Sequence, residues 1–236
     1  RKGNNPPREE WKPAPLRTRE EMHRRIDLLG QFLRYTLTKP EVEYITASQS
    51  CRYEKVNPLP ITAEDVCRMA SALTEGPDYY TDSARSLCAA EILSLYARQI
   101  QGLHLTPVFS YGPEADVPSV ICEPVSVSAL AEAVLTQYDR VFGYRQLPVL
   151  YQVGENRINP VDLFCALGDA VAGKLPPEEK ITIVPGQGRL QPTRHVNTAY
   201  DWAGDWIIFP EGLDASGIVR TALLQTWTLK PAIYDK

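Results

Sequence analysis

Apolar residues recur at helical spacing in several separate stretches of this chain. The first stripe is Met22, Ile26, Leu29, Phe32 and Leu33, an apolar face expected to be buried. Thr18-Arg19-Glu20-Glu21 precedes it as a capping box, and Thr38-Lys39-Pro40 ends it. The same period predicts helices over 61–73, 87–101, 125–138 and 213–224. A further helix is capped by Asn159 and runs through Val171, with Pro160 in its first turn and Asp162 near the positive end of its dipole. Alternating or β-branched runs predict strands over 42–46, 106–111, 149–153 and 181–184.

Three of these helices open alike. Ile61-Thr62-Ala63-Glu64-Asp65-Val66, Leu87-Cys88-Ala89-Ala90-Glu91-Ile92 and Ile158-Asn159-Pro160-Val161-Asp162-Leu163 share one pattern. Each has an apolar residue, a small or capping residue, Ala or Pro, any residue, an acid, and an apolar residue. Val127-Ser128-Ala129-Leu130 begins a weaker fourth copy, with Ala131 where the acid belongs. A unit of one helix and one short strand cannot bury its apolar face alone, so such copies stack. The plainer alternative is four unrelated amphipathic helices with ordinary N-caps. The expected fold class is α+β, with repeated helix-plus-short-strand units around a shared core. The expected divisions are an extended arm (1–17), a helix–strand segment (18–57), the repeat domain (58–192) and an aromatic-rich cap (193–236).

Composition narrows the function classes. The chain has 236 residues, enough to bury a sizeable core in one large or two small domains. A net charge of −4 argues against a nucleic-acid binder, which normally carries a basic face. No apolar run reaches the roughly 18 residues of a membrane span. The chain begins at Arg1, without an initiator Met or a signal-peptide pattern, as a processed or truncated piece of a longer protein would. Twenty prolines punctuate many short elements. Cys51, Cys67, Cys88, Cys122 and Cys165 form no CxxC pair, so a zinc site is not expected, and no motif elsewhere leads us to expect another metal or a cofactor. Cys67, Cys88 and Cys165 sit in helical patterns, where a buried thiol acts as a small hydrophobe.

Two resemblances follow from particular residues. Phe32-Leu33-Arg34-Tyr35 through Lys39-Pro40-Glu41-Val42-Glu43-Tyr44-Ile45-Thr46-Ala47-Ser48 resembles the closing helix and strand of polysaccharide deacetylases. That family's metal ligands and catalytic residues would lie upstream, so none is assigned here. The helix openings Ala90-Glu91-Ile92 and Val161-Asp162-Leu163, with Val- or Ile-bearing strands near Pro, resemble pseudomurein-binding-like repeats over 58–192. That resemblance implies cell-wall polymer binding or envelope structure rather than catalysis.

Candidate chemistry is sparse. His23, His104 and His195 are scattered. His195 with Asp201 or Asp205 makes an acid–base pair conceivable, and Ser48 or Ser50 a nucleophile, but no Gly-x-Ser-x-Gly or His-Glu-x-x-His motif supports either. Pro185-Gly186-Gln187-Gly188 lacks the Lys of a phosphate loop. Aromatic rings crowd the tail, and rings can stack on sugar faces. Tyr151, Trp202, Trp206 and Trp227 are the ligand-binding candidates, against the plainer reading that the tail rings pack the end of the domain. The expectation is a non-catalytic, extracellular or cell-surface module. It would bind wall polysaccharide or assemble with copies of itself, with no nucleic-acid partner and no membrane span. The alternative is a fragment of a carbohydrate-active enzyme, a deacetylase or a glycoside hydrolase.

Overall fold

The computed structural model describes residues 17–47, 60–83, 85–199 and 214–232. The chain is α+β. Its contacts divide it into two units, Arg1–Asn57 with Gly204–Glu211, and Pro58–Ala203 with Gly212–Lys236.

The first unit carries helix α1 (Arg19–Leu37). Its start is the expected capping box: the Thr18 N–H donates to Glu21 Oε2 at 3.0 Å, and the Glu21 N–H donates to Thr18 Oγ1 at 3.1 Å. The expected burial of its stripe is not found. None of its residues is buried, and Met22, Ile26, Leu29, Phe32 and Leu33 are all exposed. Among the described residues nothing covers that face. The expected strand over 42–46 is not formed either; the segment is irregular and returns to the helix through a hydrogen bond between Tyr44 and Thr36. Residue 47 is helical, and the rest of the turn expected there lies outside the described residues.

Among the described residues of the second unit, four helices surround one core. They are α2 (Ala63–Ala72), α3 (Ala89–Ile100), α4 (Val127–Thr136) and α5 (Pro160–Ala172). Val66 and Met69, Ile92 and Leu95, Leu130 and Val134, Leu163 and Leu167 bring one pair from each helix into that core. Helix α3 is buried on every side from Ala89 to Ala97 and packs against α2, α4 and α5. An all-round buried helix must satisfy its polar groups internally. Ser94 does so by donating to the Glu91 carbonyl at 2.7 Å and accepting from the Val108 N–H at 2.9 Å.

The acid in the repeated pattern has two tasks. It sits in the first helical turn, where its charge opposes the helix dipole, and it also holds a remote segment. Asp65 Oδ2 accepts the Thr62 N–H at 2.9 Å and pairs with Arg85 at 2.7 Å, while Oδ1 pairs with Arg68. Arg85 holds the Asp65 carboxyl well below the usual carboxylate range. Glu91 Oε2 accepts the Cys88 N–H at 2.9 Å, and both its carboxylate oxygens receive the Lys230 ammonium at 2.9 Å. Asp162 Oδ1 accepts the Gly186 N–H at 2.8 Å and Oδ2 accepts from Ser119 Oγ. Ser119 Oγ in turn accepts the Asn159 N–H at 2.9 Å, so it relays the acid to the N-cap backbone.

The fourth copy starts earlier than its sequence suggested. Its N-cap is Ser126, whose hydroxyl accepts the Ala129 N–H at 3.2 Å. Ala129, not Ala131, therefore stands where the other helices carry the acid.

The strands are shorter than the sequence implied. β1 (Tyr80–Thr81) pairs with β2 (Ser86–Leu87), and β4 (Val125–Ser126) with β9 (Lys180–Ile181). β7 (Tyr151–Val153) and β8 (Asn156–Ile158) form a hairpin. β3 (Ser110–Tyr111), β5 (Asp139–Val141) and β6 (Tyr144–Gln146) make a sheet in the order β3-β6-β5, with β3 parallel to β6. The last helix, α6 (Ser216–Gln225), leads into a 3-10 turn (Thr226–Thr228) that packs on α3.

Candidate functional site

Burial sorts the aromatic candidates. Tyr151 is fully buried on β7, and its hydroxyl has no hydrogen-bond partner among the described residues. Burial pushes its pKa up, so it is a neutral phenol inside the core rather than a ring facing solvent. Trp227 is also buried, edge-on to Phe164 with ring centroids 6.2 Å apart. Trp202, Trp206, Asp201, Asp205, Ser48 and Ser50 lie outside the described residues. His195 is in a 3-10 turn (Gln191–His195) beside Tyr79, 6.1 Å between centroids. His104 bonds Thr106 through Nδ1 at 2.7 Å. Among the described residues no cluster of His, Cys, Asp and Glu has the makings of a metal site. No helix there is long and apolar enough to cross a membrane.

In the second unit a cluster of solvent-facing rings is found on and beside the β3-β6-β5 sheet. Tyr111 registers with Gln146 and Val141 with Tyr144, so the alternation of side chains puts Phe109, Tyr111 and Tyr144 on one face. The three rings pack edge to face, with centroids 5.2, 5.8 and 5.9 Å apart. Such pairs fix one another's orientation and add about 0.5–1.5 kcal/mol each. Phe109 and Tyr144 are exposed, and Tyr111 is half-buried. Neither the Tyr111 nor the Tyr144 hydroxyl has a hydrogen-bond partner among the described residues. On the opposite face Arg140 and Arg145, directly cross-strand, both stack on Tyr138 at 5.5 and 4.0 Å. That shared ring offsets the repulsion of a like-charged pair.

The hairpin joining β5 and β6 adds a fourth ring. Phe142 and Gly143 have φ of 51° and 82°, the left-handed pair of a type I′ turn. Such turns favour Asn-Gly, and a bulky L-residue there is strained. Phe142 is nevertheless the first turn residue, and it is 90% exposed. It breaks two local rules at once, which is characteristic of a surface shaped by something other than stability. The sequence carried a signal for this face: Phe109 and Tyr111 alternate, and Phe142-Gly143-Tyr144 is a hairpin with aromatic shoulders. The tail carries a denser set of rings in sequence, which makes it the more conspicuous candidate.

A second feature is a cleft of about 790 Å³. Its walls are the start of α5, the loops around Pro118 and Gly186, and one side of α6. Trp227 lies buried behind its lining, and Arg189, Arg220 and Asp116 are exposed on its rim.

No family model, curated protein or solved structure matches the chain.

Proposed function

We propose that this chain is a non-catalytic module of the cell envelope that binds wall polysaccharide on its aromatic sheet face. The observation that carries the reading is the trio Phe109, Tyr111 and Tyr144, presented on a small sheet and flanked by Phe142. Exposed rings suit the apolar faces of sugar rings, and the two unpartnered phenols suit sugar hydroxyls. A purely apolar protein partner would bury those phenols without hydrogen bonds, at about 1–3 kcal/mol each. The resemblance of the helix openings to pseudomurein-binding-like repeats supports the same reading, and with it an extracellular or cell-surface location.

The test is retention on insoluble wall polysaccharide at low salt. The wild-type chain is expected to be retained. The Phe109→Ala/Tyr144→Ala variant is expected to bind at least about tenfold more weakly, equivalent to about 1.4 kcal/mol. No retention of the wild type, or equal retention of both, removes the reading. A second reading, assembly with copies of itself, is favoured by the uncovered apolar stripe of α1. A sedimentation coefficient that rises with protein concentration would support it.

A further inference from the structure

The cleft beside α5 calls for a ligand of different chemistry from the aromatic face. Its accessible lining is largely apolar: Val161, Leu190 and Leu223 are half-buried and Pro118 and Pro185 exposed, while Pro113, Pro160, Leu224 and Trp227 are buried behind them. Most of its interior polar side-chain atoms are engaged within the fold; the Asn159 amide Nδ2 has no hydrogen-bond partner among the described residues and is left to donate to a ligand carbonyl or carboxylate. Ser119 Oγ donates to Asp162 and accepts from the Asn159 backbone. Asn159 Oδ1 accepts the Asp162 N–H at 2.8 Å, and Thr193 Oγ1 donates to the Leu190 carbonyl at 2.6 Å. Both Asp162 oxygens are occupied by Ser119 and Gly186. A sugar placed here would leave hydroxyls facing prolines and leucines, at about 1–3 kcal/mol for each buried and unpaired group.

The charged groups left over are at the rim. Arg189 and Arg220 line the cleft, are exposed, and have no ion-pair partner among the described residues. A guanidinium matches a carboxylate in a two-point fork. Asp116, also exposed on the rim, is available to accept from an amide N–H. The ligand that complements an apolar floor, two unpaired guanidinium groups and one carboxylate acceptor has aliphatic or aromatic side chains, amide N–H groups and a carboxylate.

We infer that this cleft binds the free C-terminal end of a short apolar peptide, its side chains against Leu190 and Leu223 and its terminal carboxylate on Arg189 and Arg220. The volume is within the range of about 300–1,000 Å³ common to ligand sites. Peptide binding here does not depend on glycan binding at the sheet, so either can fail without the other.

The test uses the full chain and N-acetylated tripeptides ending in Ala, Leu or Phe, each as the free acid and as the C-terminal amide. Binding is read from the NMR shifts of the Gly186 amide and the Trp227 indole. At least one free acid is expected to shift both signals, and its amide to bind at least tenfold more weakly. Arg220→Ala is expected to weaken the acid at least tenfold, with Tm unchanged because Arg220 is exposed and without an ion pair among the described residues. Arg189→Ala gives an independent second reading of the same charge. Acid and amide binding equally would overturn the carboxylate role. No shift of either signal at millimolar peptide, or displacement of the peptide by glucuronate, would overturn the site as a peptide site.

Discussion

Gly112→Ala is expected to destabilise the second unit by about 3 kcal/mol, the upper part of the range for overpacking a tight site. A Cβ at this position would lie 2.1 Å from the Leu224 carbonyl oxygen and 3.0 Å from its carbon. Both atoms are backbone, so no side-chain rotation relieves the clash. Gly112 is not among the glycines with positive φ, so the cost is steric rather than conformational. The movement that makes room must part β3 from the end of α6. It would strain the Gly112 N–H bond to Gln225 Oε1 at 3.1 Å and the Gln146 bond to the Gly112 carbonyl at 3.1 Å. Gly217→Ala is the matching control: it is in α6, the helix that Gly112 packs against, and a Cβ there meets nothing within 4 Å. It should be neutral or raise stability by up to about 1 kcal/mol. Urea denaturation of the two variants beside the wild type separates these outcomes; a midpoint for Gly112→Ala equal to the wild type would refute the packing described for this junction.

Trp227→Ala should cost more still, about 3–5 kcal/mol for truncating a buried large aromatic side chain. The ring is 1% exposed and rests against Phe164 of α5. Phe164 in turn packs on Tyr96 of α3, centroids 5.1 Å apart. Removing the indole therefore opens a cavity next to the most buried helix of the fold. It also loosens the residues after the 3-10 turn. Lys230 reaches Glu91 there, and the Pro231 carbonyl accepts from Ser86 Oγ at 2.5 Å. Trp227→Phe, which keeps most of the apolar volume, should recover a large share of the loss. Thermal unfolding with the three proteins in parallel measures this order. A Trp227→Ala protein that melts with the wild type would mean that the C-terminal segment is not part of the core.

Much of the architecture was readable from residue order, because caps and helical periods are local. Thr18, Thr62 and Asn159 cap where their neighbours said they would. Leu163, Leu167 and Val171 face inward at the expected spacing. The fourth copy was misplaced because two serines, Ser126 and Ser128, compete as caps, and only the chain's pairing with β9 decides between them. Strand lengths were overestimated for a related reason. Prolines flank nearly every β-branched run, and proline removes the donor a ladder needs, so pairing stops after two or three residues.

The second task of Asp65, Glu91 and Asp162 could not be read locally. Their partners Arg85, Lys230 and Gly186 are distant or separated by loops, and only tertiary packing selects them. The exposed face left a local trace in the alternation of Phe109 and Tyr111, but which strand tyrosines reach solvent was not local either. Tyr151 and Tyr144 look alike as strand tyrosines, yet one is fully buried and the other is 56% exposed. The α1 stripe is a mismatch of another kind. Its amphipathic period is real, but no partner for that face is found among the described residues.

The most direct measurement is an NMR titration of the full chain with soluble fragments of wall polysaccharide, followed residue by residue. Binding on the sheet should move the ring and amide signals of Phe109, Tyr111, Phe142 and Tyr144 together, with one dissociation constant, and leave the fragment chemically unchanged. Shifts confined to other residues, or fragments recovered cleaved or deacetylated, would contradict a glycan-binding, non-catalytic face.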